Sequence, residues 1–148
     1  MKIRTSIAAA GAAIVLGTTG ALVLPAVASA HSTTHTLKFI SVTKSSTMFT
    51  TATGGQQDTD VNAAGKTVGF DMLYFKSVSA TTGNVNVTVD TTGGFLYGTL
   101  TINFKTGVIS NGKVTGGTGS FVGATGTIMA KNLNPAGTRT AVTITYST

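Results

Sequence analysis

The apolar residues of this chain follow two different patterns. From Ile7 to Val27 they dominate a stretch with no charged side chain; beyond residue 31 they recur with a period of two, in short segments cut by glycine-rich turns. Lys2 and Arg4 precede the first stretch, and the small residues Ala28-Ser29-Ala30 close it. A positive start, an apolar centre and a small-x-small exit predict an export signal over residues 1–30, cleaved after Ala30. The stretch is long enough to span a bilayer. However, His31-Ser32-Thr33-Thr34-His35 supplies no basic stop-transfer flank, and Gly11, Gly17, Gly20 and Pro25 interrupt the apolar run. The expected product is a secreted single domain of residues 31–148, frayed over 31–35, with no membrane segment left after cleavage.

Within that domain the alternation predicts strands. Residues 36–43 form a first strand and 47–51 a short second segment. Residues 53–60, glycine-rich and polar, read as a loop or a weak edge segment. Residues 62–66 form a tight turn around Gly65. Residues 67–76 then alternate with two apolar faces: Val68, Phe70, Met72 and Tyr74 on one, Gly69, Asp71, Leu73 and Phe75 on the other. Residues 84–90 set Val85, Val87 and Val89 against Asn84, Asn86, Thr88 and Asp90, the pattern of a half-buried strand. A long strand over 95–104 is turned back at Thr106-Gly107, and Asn111-Gly112 reads as a further hairpin turn. Strand character resumes over 127–130, residues 132–137 make the last turn, and 138–146 close the domain. Seven or eight strands joined by short turns, with no helical period, indicate an antiparallel barrel or sandwich. Barrel closure would also hide the strand edges.

Composition narrows the chemistry. The domain has no cysteine, so packing and hydrogen bonds alone must hold it. Residues 31–148 carry eight basic side chains against Asp58, Asp60, Asp71 and Asp90, a net charge of +4. The basic residues are scattered singly, which argues against nucleic acid as a partner. Asp58 and Asp60 sit in the polar segment with no third ligand nearby in sequence, so no metal site is expected. His31 and His35 are the only histidines and lie at the domain's start, which argues against histidine-based triads and zinc sites.

Two segments resemble the allene oxide cyclase barrel-like and dirigent-like proteins. The first is Asp60-Val61-Asn62-Ala63-Ala64-Gly65-Lys66-Thr67-Val68-Gly69. The second, more specific, is Val114-Thr115-Gly116-Gly117-Thr118-Gly119-Ser120-Phe121-Val122-Gly123-Ala124-Thr125-Gly126. The glycines at 116, 117 and 119 do not suit a phosphate cradle, because no lysine and no helix follow at the required spacing. The resemblance spans residues 59–146. It implies an eight-stranded antiparallel barrel of calycin-type shape, often oligomeric, with a cavity for an apolar small molecule. It also implies a secreted actinobacterial member that works without cofactors. Plant relatives guide cyclisation or radical coupling, and some bacterial relatives cyclise polyketide-like compounds.

The residues themselves offer few catalytic groups. Asp71, mid-strand between apolar neighbours, is the candidate acid, base or stabiliser of developing positive charge. Tyr74 and Arg139 are candidate partners for it, and Tyr97, Phe70 and Phe95 are candidate ligand contacts. Three functions fit this inventory. One is a binder of an apolar small molecule. Another is a cofactor-free cyclase or isomerase that shapes its substrate in a dry cavity. The third is a structural or surface-interaction protein whose barrel is filled by side chains.

Overall fold

The computed structural model describes residues 32–148; the export signal expected over residues 1–30 lies outside them. Eight strands follow in order: β1 (Thr34–Met48), β2 (Thr53–Val61), β3 (Thr67–Ser77), β4 (Thr82–Thr91), β5 (Gly94–Asn103), β6 (Ile109–Gly117), β7 (Thr125–Asn132) and β8 (Arg139–Ser147). Each pairs antiparallel with the next, and β8 pairs with β1, so the sheet closes into a barrel. A single 3₁₀ turn, Gly119–Phe121, lies between β6 and β7. Among the described residues, no helix is long and apolar enough to cross a membrane.

Because successive side chains of a strand point to opposite faces, each strand gives every second residue to the interior. β4 contributes Val85, Val87 and Val89, as its alternation predicts, and β5 contributes Leu96 and Leu100. One end of the barrel is filled. Phe121, folded inward by the 3₁₀ turn, meets Tyr146 edge to face with ring centroids 5.3 Å apart. Leu96, Ala124 and Ile144 are buried in the same core. Leu96 and Ile144 are fully removed from solvent, and each contributes about 1.5–3 kcal/mol relative to exposure.

The strand boundaries depart from the sequence reading in four places. Thr34 and His35 are not frayed: they pair with Ser147 and Tyr146, and the His35 ring stacks on Tyr146. β1 is one long strand rather than two segments, with a bulge at Lys44 between the pairs Thr43–Asp58 and Ser45–Gln57. Asn111-Gly112 is not a hairpin turn. It is a bulge within β6, opposite Leu100, with Asn111 at φ 54° and Gly112 paired to Ile128 of β7. A left-handed Asn beside Gly serves a bulge as readily as a turn.

The polar stretch over residues 53–60 is also more than a loop. As β2 it is hydrogen-bonded on both sides, to β1 and to β3. The turn that follows it is fixed by Asn62, whose Oδ1 accepts from the backbone N–H groups of Ala64 and Lys66. That turn, followed by a bulge at Val68 between the pairs Val61–Thr67 and Asp60–Gly69, sets the register in which Asp58 faces Asp71 and Asp60 faces Gly69.

A carboxyl cluster on the wall of an apolar cavity

The barrel interior opens into a cavity of about 1100 Å³. Most of its wall is apolar and includes Phe39, Leu73, Phe75, Val87, Leu100 and Ile128. The turns after β5 and β7 border its mouth, where Lys105 and Lys131 contribute the only basic side chains of the lining. One sector differs: β1, β2 and β3 contribute Ser41, Gln56, Asp58 and Asp71.

Asp58 and Asp71 are directly opposite one another on adjacent strands, and Asp60 lies one inward position further along β2. All three are buried, with exposures of 2 %, 4 % and 1 % for Asp58, Asp71 and Asp60. Like charges placed opposite each other destabilise a sheet, so the cluster needs compensation. Asp58 receives some through Oδ2, which accepts hydrogen bonds from Ser41 Oγ at 2.7 Å and Gln56 Nε2 at 2.8 Å. Gln56 Nε2 is itself held by Thr43 Oγ1 at 3.1 Å. Asp58 Oδ1, Asp71 Oδ1 and both oxygens of Asp60 have no partner.

These surroundings favour the protonated form of two carboxyls. Burial, and then the charge of Asp71, push Asp60 up to about 8. Burial, and then the charge of Asp58, raise Asp71 to about 6, while hydrogen bonds from Asp60 and Ser41 pull the other way. The desolvation cost of a charged carboxylate is the dominant cause in both. Among the described residues, no three carboxylate, histidine or cysteine side chains are grouped to hold a metal ion.

The sequence-derived candidates divide between the two faces. Asp71 lines the cavity. Tyr74, Phe70, Phe95 and Tyr97 are not brought to it; they are exposed on the outer face. Strand alternation is the reason: Phe70 and Tyr74 bracket the inward Asp71 and Leu73, and Phe95 and Tyr97 bracket the inward Leu96. With Met72 they form an outward apolar strip across β3 and β5, in which Phe70 and Phe95 flank Asp90 of β4. Arg139 is exposed at the start of β8 and lies outside the cavity lining. The glycine-rich motif shapes the filled end of the barrel. Gly116, Gly119, Gly123 and Gly126 take positive φ, and Phe121 and Ala124 are buried. A side chain on Gly117 would collide with Phe121 and the Phe95 carbonyl, and one on Gly69 with the Asp90 carbonyl. Gly65 sits at φ 78° in the β2–β3 turn.

Asp58, Asp60 and Gln56 were not legible as site residues, because β2 has no apolar face to mark it as a strand, and Ser41 on β1 bore no mark of its own. A signal was nevertheless present. Reading backwards from the Asn62–Lys66 turn in hairpin register brings Asp58 to within one residue of Asp71, opposite Phe70, and a bulge at Val68 supplies the remaining step.

No protein-family model and no curated relative matches the chain. Several solved structures share its fold, among them the following two. The crystal structure of AbnU, an exo-specific intermolecular Diels-Alderase, superposes with a TM-score of 0.61 at 12% identity, covering 78% of this chain and 99% of that one. The pterocarpan synthase dirigent protein GePTS1 superposes with a TM-score of 0.56 at 16% identity, covering 80% and 84%. The likeness is one of fold.

Proposed function

The chain is a closed eight-stranded barrel of the kind seen in dirigent and Diels-Alderase structures, and on that premise we propose that it binds an apolar small molecule in its cavity. The observation that carries this reading is the cavity itself, about 1100 Å³ and walled largely by aliphatic and aromatic side chains. That volume matches or exceeds common ligand sites, which are concave, mostly apolar and furnished with a few polar groups. The expectation of a barrel filled by side chains loses its support for the same reason. We further propose that the protein is secreted, on the leader pattern of residues 1–30.

Titration with a neutral, polarity-sensitive dye tests the binding. Saturable one-site binding is expected. Val87→Phe, which places a ring in the cavity, should weaken it about tenfold or more. Dye binding that is absent, or indifferent to this substitution, would refute the reading.

A second reading is favoured by the carboxyl on the cavity wall. A dry pocket that holds a flexible substrate near its reactive shape lowers the entropic part of a cyclisation barrier. A neutral carboxyl at the wall can donate a hydrogen bond or a proton to charge developing on the substrate. Asp71 is placed for that role, and AbnU, of similar fold, is a Diels-Alderase. For any cyclisation the protein accelerates, Asp71→Phe should abolish the acceleration, whereas Asp71→Asn should retain the part owed to shape and hydrogen bonding. Loss of proton donation alone is worth about 100-fold.

A further inference from the structure

The polar sector of the cavity wall holds more acceptors than free donors. Its donors are already engaged. Ser41 Oγ donates to Asp58 Oδ2 at 2.7 Å, and Gln56 Nε2 donates to the same oxygen at 2.8 Å and to Thr43 Oγ1 at 3.1 Å. Asp58 Oδ1 and Asp71 Oδ1 are left without a partner, although the two residues are only 2 % and 4 % exposed. Both residues line the cavity, directly opposite one another on β2 and β3. Around them β1 presents Phe39, β3 Leu73 and β4 Val87 and Val89, which bring no donor. Asp60, the next inward residue of β2, is buried but not part of the lining. The chain supplies no counter-charge either: all eight basic side chains of residues 31–148 are exposed. Buried carboxylates are as a rule paired, because an unpaired one is costly.

Resting on the reading of the cavity as a ligand site, we infer that the facing pair Asp58 and Asp71 is a subsite for a protonated amine, so that the ligand is an apolar molecule carrying one ammonium group. An ammonium brings what this wall lacks, several N–H donors and a positive charge. It can donate to the two unpartnered oxygens while its apolar body lies against Leu73, Phe75, Val87 and Leu100. Such hydrogen bonds are charge-assisted, and a dry wall strengthens them. A bare divalent ion fits less well, because it needs a full shell of oxygen ligands, and among the described residues no three ligating side chains are grouped to hold one. Burial raises Asp60 furthest, to about 8, so at pH 7 that carboxyl is neutral, while Asp71, raised to about 6, is charged. Below about 6 Asp71 takes up a proton and the subsite loses one of its charges. Lys105 and Lys131 stand at the mouth with exposed side chains. Water and salt screen their repulsion, which slows the entry of a cation more than it weakens the complex.

Two probes of one skeleton, 1-naphthylmethylamine and 1-naphthylmethanol, differ in an ammonium against a neutral hydroxyl, and calorimetric titration with each tests the assignment. At pH 7 the amine should bind about tenfold more tightly than the alcohol. That preference should be smaller at pH 5, where Asp71 is protonated and both probes keep their charge. Asp71→Asn removes one charge and offers Asp58 an amide donor. It should cost the amine about tenfold and leave the alcohol within about twofold, the retained alcohol binding showing that the variant is folded. Asp60→Asn, outside the lining, replaces a carboxyl already neutral at pH 7 and should leave the preference unchanged there. An alcohol that binds as tightly as the amine, or an amine preference that survives Asp71→Asn, would overturn the inference while leaving the cavity reading in place. Should Asp71→Asn not fold, the unaltered protein decides: a preference undiminished at pH 5 overturns the inference. Failure of both probes to bind would instead sink the cavity reading and the amine subsite with it.

Discussion

Asp60 holds a side chain that water would solvate far better than the barrel does, and this makes stability depend on pH in a definite direction. Its carboxyl titrates near 3.8 when unperturbed and is raised to about 8 in the folded barrel; Asp71 is raised to about 6. Between these values the folded state holds protons that the unfolded state has released, so stability falls as pH rises. The contribution is fully present below about 3.8 and is lost progressively through 6 and 8. Thermal unfolding should therefore show a lower Tm at pH 8 than at pH 5. Asp60→Asn, which cannot ionise, should raise the Tm at pH 8 by about 5 °C and leave it nearly unchanged at pH 4. A Tm that climbs from pH 5 to pH 8 would contradict the buried, unpaired carboxyls. The sequence made Asp71 a candidate because a lone acid interrupts an apolar alternation. Asp60 carried no such mark, since its neighbours in sequence are also polar.

Among the elements, β2 and β6 depend most on their neighbours. β2 has the sequence Thr-Gly-Gly-Gln-Gln-Asp-Thr-Asp-Val, without a strand-forming apolar face, and it is a strand because β1 and β3 offer it backbone partners on both sides. β6 admits a bulge at Asn111-Gly112, where a side chain on Gly112 would run into the backbone carbonyl of Ile128. That close approach lets β6 pair with β7 over only three residue pairs, Gly112–Ile128 to Val114–Gly126. Gly112→Ala should pry the two strands apart and cost on the order of 2–4 kcal/mol in urea unfolding. A cost near that of an exposed surface substitution would mean that the approach is not tight. β3 to β5 and β8 were legible in the sequence because their valines, leucines and isoleucines alternate. β2 and the β6 bulge were not, because their structure is imposed by pairing rather than by their own side chains.

At the scale of the molecule, the barrel combines a filled end and an open one. Leu96, Phe121, Ala124, Ile144 and Tyr146 supply the core of the first. The rings of Phe75 and Phe104, with centroids 6.5 Å apart, stand at the second. Phe75 lies over Gly54 and Phe104 over Gly83, each occupying the space a side chain there would need. Gly83→Val should displace Phe104 and change the rate of ligand exchange more than the equilibrium affinity, since the deep cavity wall is untouched. Stopped-flow mixing with the same neutral dye measures both quantities, and an unchanged exchange rate would show that Phe104 does not gate the mouth.

The sequence by itself determined the class of the fold. Period-two alternation, frequent turn residues and the absence of a helical period leave an antiparallel β domain, barrel or sandwich, and the family resemblance of the glycine-rich segment around Phe121 implies the barrel. Alternation also fixed which residues of a strand share a face. It could not say which face turns inward when both are apolar, as in β3 and β5. Only closure of the sheet decided that, sending Asp71, Leu73 and Phe75 to the cavity and Phe70, Met72 and Tyr74 to the surface. The carboxyl cluster is likewise a product of tertiary structure. Asp58, Asp60 and Asp71 come together through the register of a hairpin and the curvature of a closed barrel, and no local property of residues 53–61 encodes either.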